Sequence, residues 1–130
     1  MGDESRDRIA RFVAEHADVR TAILFGSIAC GRQRPDSDVD IAVDTGVPLD
    51  ASAKQALITQ LADATGRPVD LVDLQSVGEP LLGQILKHGV RLKGANADYA
   101  ELVRRHLFDA ADFLPYVDRM LAERRSTWIG

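Results

Sequence analysis

Leu24-Phe25-Gly26-Ser27, followed after ten residues by Asp38-Val39-Asp40, is the stretch of this 130-residue chain that decides its fold. Residues 19–25 are short, mostly apolar and rich in β-branched side chains, which predicts a buried strand ending abruptly at Gly26. A tight helical turn over 27–31 then offers backbone N–H groups and the Ser27 hydroxyl to an anion. Because Gly26 has no Cβ, a phosphate can approach the backbone closely. The first half of the stretch therefore predicts a phosphate-binding turn.

The second half predicts a strand over 38–43 with two carboxylates on one face. Residues i and i+2 of a strand point to the same side, so Asp38 and Asp40 project together while the alternate apolar residues anchor the opposite face in the core. Two like charges side by side are costly unless a cation lies between them. Mg²⁺ suits such oxygen ligands and usually combines one or two carboxylates with substrate phosphates. Asp38 and Asp40 are therefore the candidate metal ligands and catalytic residues.

A third carboxylate is expected from a neighbouring strand, predicted at 69–74. Asp70 and Asp73 are the candidates, and since they differ by three positions a regular strand points them to opposite faces. Asp70 lies inside the apolar run, where a carboxylate needs a partner or a metal, whereas Asp73 lies at the strand end, where solvation is easy. Asp70 is therefore the preferred third ligand, and Asp73 stays the alternative.

Between the two halves lies a polar loop whose role the sequence leaves open. Ser37 directly precedes the carboxylates and is a candidate nucleotide-binding residue, with a turn-forming role as the alternative. Arg32 and Arg34 could reach phosphates or could serve only solubility. Cys30 is the single cysteine, so no intramolecular disulfide can form and a structural role is expected.

The rest of the chain alternates helical and extended patterns, which predicts an α/β (α+β) fold: a small mixed sheet flanked by helices, with a C-terminal helical tail. Asp50 or Ser52 can cap the second long helix, and Pro115 interrupts the tail. We expect a single domain over 1–130 with its catalytic core at about 19–93. The further predicted elements are helices over 3–16, 52–64 and 80–88, an edge strand over 90–92 and the helical tail over 97–125.

Charge and hydropathy exclude several classes of protein. Sixteen basic and 20 acidic residues give a formal net charge of −4, so the chain as a whole is not an electrostatic nucleic-acid binder and no direct nucleic-acid contact is expected. No apolar run approaches the roughly 20 residues of a membrane span. Charged residues near the N-terminus leave no apolar core for a secretory signal peptide. A cytoplasmic protein without a membrane partner is expected.

With the order of Phe25-Gly26-Ser27, Asp38-Val39-Asp40 and a later Val69-Asp70-Leu71 strand, the chain resembles the DNA polymerase β nucleotidyltransferase superfamily. The resemblance covers about residues 20–95 and implies the polymerase β-like nucleotidyltransferase fold. In its small size and aromatic-containing helical tail, the chain is also similar to the minimal nucleotidyltransferases (MNT), the antitoxins of HEPT/MNT toxin–antitoxin modules.

This resemblance implies two-metal phosphoryl-group chemistry, in which catalysis is mostly positioning and charge neutralisation. It implies that Asp38 and Asp40 hold the Mg²⁺ of an ATP substrate, and that Asp70 completes the site of a second Mg²⁺ and helps to deprotonate or orient the acceptor. Gly26 and Ser27 would hold the β- and γ-phosphates. In the family the acceptor can be a tyrosine of a cognate HEPT-type toxin, which AMP transfer silences, so an active enzyme acting as an antitoxin is expected.

Two other functions stay open. A small-molecule nucleotidyltransferase of the aminoglycoside type would keep the chemistry and change the acceptor, although such enzymes usually add a substrate-binding domain. An antitoxin that only masks its partner by binding would make catalysis incidental. Aromatic residues of the tail are mostly expected to pack between helices, but exposed ones would mark a docking surface and a homo- or hetero-oligomer. These aromatics are Tyr99, Phe108, Phe113, Tyr116 and Trp128.

Overall fold

Helices and strands alternate along the part of the chain that the structure, a computed structural model, describes: residues 2–29 and 37–109. Every element predicted within those residues is present, with bounds that differ by one or two positions. In chain order they are α1 (Gly2–Glu15), β1 (Thr21–Phe25), α2 (Gly26–Ala29), β2 (Val39–Asp44), α3 (Ala51–Thr65), β3 (Val69–Asp73), α4 (Leu81–His88), β4 (Val90–Lys93) and α5, a helix over 96–109.

The four strands form one mixed sheet in the order β3-β2-β1-β4. β1 pairs antiparallel with both β2 and β4, whereas β2 and β3 are parallel and are connected through α3. β2 therefore lies between an antiparallel and a parallel neighbour. The predicted small mixed sheet with its edge strand after α4 is confirmed.

Both faces of the sheet are covered, each by its own buried cluster. Alternate residues of β1 and β2, such as Leu24 and Ile41, pack against α1 and α3 on one face. On the other face Ile23 and Ala42 pack with residues of α4 and with Leu102 of α5. Ala42, on the same face of β2 as Asp40, belongs to this second core, so that face of the strand serves packing as well as the candidate site. The sequence did not show it, since the apolar residues that cover Ala42 come from helices far along the chain.

Local capping explains where the helices begin and end. Asp50 caps α3, its carboxylate accepting a hydrogen bond from the Ala53 amide at 2.7 Å, so the first of the two predicted caps is the one used. Gly66 ends α3 in the left-handed conformation. The ammonium group of Lys93 donates to the carbonyls of Val13 and His16 at 2.9 and 3.0 Å, which fixes the end of α1 to the edge of the sheet.

α5 confirms the beginning of the predicted helical tail. Tyr99 and Leu102 pack on the second core, whereas Leu107 and Phe108 are exposed. Residues 110–130, with Pro115 and three of the tail aromatics, lie outside the described residues, so the predicted extent of the tail and the division into core and tail stay predictions. None of the helices that the structure describes is long and apolar enough to cross a membrane.

Candidate active site

The two halves of the Gly-Ser…Asp-x-Asp stretch meet through the pairing of β1 with β2. Phe25, the last residue of β1, pairs with Asp40 near the start of β2. Gly26 follows directly and begins the short helix α2, so the turn and the carboxylate lie side by side. The ten residues that separate them in sequence are enough for the chain to return antiparallel. The register of the two strands then places Asp40 beside the residue that precedes Gly26.

Gly26 is in contact with the carboxylate of Asp40. Its φ of +74° lies in the left-handed region. A Cβ added here would lie 2.1 Å from Asp40 Oδ2 and 3.0 Å from Cγ, far inside van der Waals contact. Both the backbone conformation and the space around it therefore require glycine at this position.

Asp70 comes from the opposite side of β2. In the parallel pair Asp40 lies directly beside Asp70, so the two side chains point to the same face at the separation of neighbouring strands, about 4.8 Å between backbones. Asp38 lies just before β2, two residues from Asp40, and is exposed like Asp70. The structure thus brings together the three carboxylates that the sequence singled out.

Burial and neighbouring negative charge raise the pKa of the Asp40 carboxyl above its usual value near 3.8. Burial contributes most, followed by the charge of Asp70 and then that of Asp38. A set of oxygen donors that repel one another fits a hard divalent cation such as Mg²⁺, which would relieve that repulsion. Within 2–29 and 37–109, no three acidic, histidine or cysteine side chains are already gathered closely enough to enclose a metal ion. Mg²⁺ held by one or two of these carboxylates together with substrate phosphates does not need such a cluster.

Asp73 has a structural role that the sequence did not indicate. It is only 8% exposed, and its two oxygens accept hydrogen bonds from the backbone amides of Leu49 and Gln75 at 2.8 and 2.9 Å. The burial argument used to choose between the two candidates is therefore wrong, since Asp73 is buried and Asp70 is exposed. Asp70 lies at the open end of an edge strand, whereas the loop before α3 covers Asp73. What favours Asp70 is its register with Asp40, and its assignment as the third ligand stays a prediction.

The predicted phosphate contacts are described only in part. The backbone of Ser27 is the second residue of α2, but its side chain lies outside the description, as do Cys30, Arg32 and Arg34. Ser37 is half-buried beside Asp38, and its carbonyl accepts a hydrogen bond from Arg67 Nη1 at 3.2 Å. Sequence reasoning missed Arg67, because Gly66-Arg67-Pro68 predicts only a chain reversal after α3.

Comparisons with known proteins agree with this geometry. The family model described as "Polymerase beta, Nucleotidyltransferase" matches residues 7–98. The protein adenylyltransferase MntA of Shewanella oneidensis is 43% identical over 75 residues, which cover 58% of this chain and 54% of that protein. The chain thus spans about half the length of this relative.

Solved structures of similar fold include toxin–antitoxin complexes. A crystal structure of a toxin–antitoxin with AMP-PNP has a TM-score of 0.70 at 29% identity, covering 88% of this chain and 97% of that chain. A structure of tri-AMPylated Shewanella oneidensis HEPN toxin in complex with MNT antitoxin has a TM-score of 0.68 at 26% identity, covering 93% and 99%. The likeness extends over most of the chain in both comparisons.

Replacing Gly26 by alanine is expected to destabilise the protein more than the same change at Gly66. Both glycines have positive φ, near +70°, so each alanine loses roughly 1–2 kcal/mol from the backbone conformation alone. Only at position 26 does the new methyl group also meet Asp40, since nothing lies within 4 Å of a Cβ at position 66. This crowding is expected to add roughly 1–3 kcal/mol to the loss in free energy of unfolding, measured by urea denaturation. Combining Gly26→Ala with Asp40→Ala should recover most of the added loss; equal losses at positions 26 and 66 would contradict the contact.

Asp40→Asn is expected to raise the Tm of the metal-free protein at pH 7. Because the folded pKa of Asp40 is raised, its ionised form costs the folded state free energy at neutral pH, and a neutral amide removes that cost. The cost falls as pH decreases through the raised folded pKa and vanishes below the unfolded value, so the advantage of the variant should shrink in acid. Melting curves between pH 7 and pH 3 test this, with Asp63→Asn on the exposed side of α3 as the control. An Asp40→Asn protein less stable than wild type at pH 7 would contradict the proposed repulsion.

Proposed function

Since the chain belongs to the polymerase β nucleotidyltransferase family, we propose that it transfers AMP from ATP, with Mg²⁺, to a hydroxyl group of a partner protein. The observation that carries the proposal is the meeting of the Gly26 turn with the Asp40 carboxylate and, across β2, with Asp70. Phosphoryl transfer requires a group that holds phosphates and a group that holds cations. The turn at Gly26 fits the first role, and the carboxylates, which repel one another, fit the second.

In the proposed reaction Gly26 and Ser27 hold the β- and γ-phosphates of ATP. Asp38 and Asp40 hold the cation that accompanies the triphosphate. Ser37, beside them, steadies the bound nucleotide. Asp40, the most buried of the three carboxylates, is fixed between Gly26 and Asp70, which makes it the anchor of the site.

Asp70 serves the acceptor side of the reaction. It is exposed, lies opposite Asp40, and can accept or orient the proton of an incoming hydroxyl group. The hydroxyl oxygen forms a bond to the α-phosphorus, the bond from that phosphorus to the bridging oxygen of the β-phosphate breaks, and pyrophosphate leaves. Two bound Mg²⁺ ions would stabilise the charge on the attacking and leaving oxygens.

For the acceptor we propose a tyrosine of a cognate HEPT-type toxin, which makes the protein an antitoxin acting in the cytoplasm. Support comes from the relative that is a protein adenylyltransferase and from the neighbouring structure in which a HEPN toxin is tri-AMPylated in complex with an MNT antitoxin. Asp38 and Asp70 are both exposed, which is consistent with an acceptor that approaches from solvent.

ATP labelled at the α-phosphate, incubated with the protein, Mg²⁺ and its HEPT-type partner, is expected to label the partner. Asp38→Ala, Asp40→Ala and Asp70→Asn should each lower the initial rate at least on the order of 100-fold, because each removes charge stabilisation that positioning cannot replace. Asp63→Asn should label at the wild-type rate. Gel autoradiography and mass spectrometry of the acceptor tyrosine provide the measurement.

A second comparison separates a site residue from a structural one. Asp73→Asn should lower the free energy of unfolding by roughly 1–3 kcal/mol, because a buried acceptor of two amide hydrogen bonds is weakened, yet retain activity per folded molecule. Asp70→Asn should leave the free energy of unfolding close to that of wild type and lower the activity per folded molecule. If wild-type protein silences the toxin without labelling it, the protein is a masking antitoxin and the catalytic proposal is wrong. Labelling that persists in the Asp38→Ala/Asp40→Ala double variant would remove the carboxylates from the mechanism.

A further inference from the structure

Helix α1 is tied to the end of the phosphate-binding turn. Arg6, in the first half of α1, donates from its guanidinium group to the carbonyl of Ala29 at 3.0 Å, across 23 positions of sequence. Ala29 is the last residue of α2, the turn that begins at Gly26. A planar, permanently charged donor thus fixes the far end of this turn.

A second arginine is tied to the carboxylate side of the site. Arg67 Nη1 donates to the carbonyl of Ser37 at 3.2 Å, and Ser37 directly precedes Asp38. On the other side of Asp38, the amide of Val39 donates to the carbonyl of Pro68 at 2.8 Å. The dipeptide Arg67-Pro68 therefore holds the backbone both before and after Asp38.

The two arginines are joined through Ser5. Arg67 Nε donates to Ser5 Oγ at 3.1 Å, and Ser5 is the neighbour of Arg6 on α1. Ser5 is only 8% exposed and Arg67 is half-buried, so this polar contact is partly shielded from water, which strengthens it. We call Ser5, Arg6 and Arg67 together the arginine brace. Through α1, it connects the end of α2 to the segment that precedes Asp38.

We infer that the arginine brace sets the distance between the phosphate-binding turn and Asp38, and that Arg6 and Arg67 are positioning residues for the reaction. The inference rests on the proposed function. Arg6 and Arg67 each act through a backbone carbonyl that adjoins a site element. A displacement of about 1 Å between reacting groups can cost on the order of 100-fold in rate, so such a brace affects catalysis without taking part in it.

The two ends of the brace predict different kinetic defects. Arg67→Gln frees the backbone before Asp38 and is expected to lower kcat by about 10- to 100-fold, the range usual for residues that support metal-binding side chains. Arg6→Gln frees the end of the turn and is expected mainly to raise KM for ATP, by a similar factor. Arg67→Lys can reach the hydroxyl of Ser5 or the carbonyl of Ser37 and should recover part of kcat. Arg8→Gln is the control, because Arg8 lies on the same helix and, among the residues that the structure describes, forms its ion pair with exposed Glu4.

Amide hydrogen exchange tests the brace without any activity. In the protein free of nucleotide, Arg67→Gln should speed exchange at the Val39 amide, while exchange in β4, at the opposite edge of the sheet, stays at the wild-type rate. A merely structural role would instead raise exchange throughout and lower activity only in proportion to the unfolded fraction. That pattern, or wild-type kcat and KM in both Arg67→Gln and Arg6→Gln, overturns the inference. If wild-type protein transfers no AMP, the proposed function fails, and local exchange at Val39 still decides whether the brace exists.

Discussion

The close approach of the Gly26 backbone to the Asp40 carboxylate is the contact on which the rest of the site depends. It requires that β1 ends where it does, that the next residue adopts a positive φ, and that β2 runs antiparallel with Phe25 opposite Asp40. Once Asp40 is placed in this way, the parallel pairing of β2 with β3 places Asp70 on its other side. A single strand therefore joins the turn at Gly26, the predicted phosphate-binding element, to the carboxylates.

This arrangement has an electrostatic cost. Asp40 is partly buried between two other carboxylates, and the resulting rise in its pKa shows that its ionised form is disfavoured in the folded protein. A protein selected for stability alone would not keep three acidic groups on one face of a sheet. A site that binds a divalent cation can, because the positive charge offsets the repulsion among the carboxylates.

Much of the fold followed from local patterns, whereas contacts between distant segments did not. The spacing of Gly26-Ser27 and Asp38-Val39-Asp40 was enough to predict two strands, a turn and a pair of carboxylates, because strand geometry repeats every two residues. Register between strands and burial depend on the whole chain. Asp73 therefore was expected at a solvated strand end and proved to be buried, and the second core around Ala42 was missed. Arg6 and Arg67 carry no local pattern that distinguishes them from solvated surface arginines.

The most direct test of the site is a crystal structure of the protein in complex with AMP-PNP and Mn²⁺. Manganese scatters anomalously and binds at sites that Mg²⁺ occupies. We expect an anomalous peak within about 2.1 Å of carboxylate oxygens of Asp38 and Asp40, and a second peak coordinated by Asp70 as well. The β- and γ-phosphates should lie against the backbone of Gly26 and Ser27. A nucleotide bound elsewhere, or manganese coordinated without Asp38 and Asp40, would contradict the central claim.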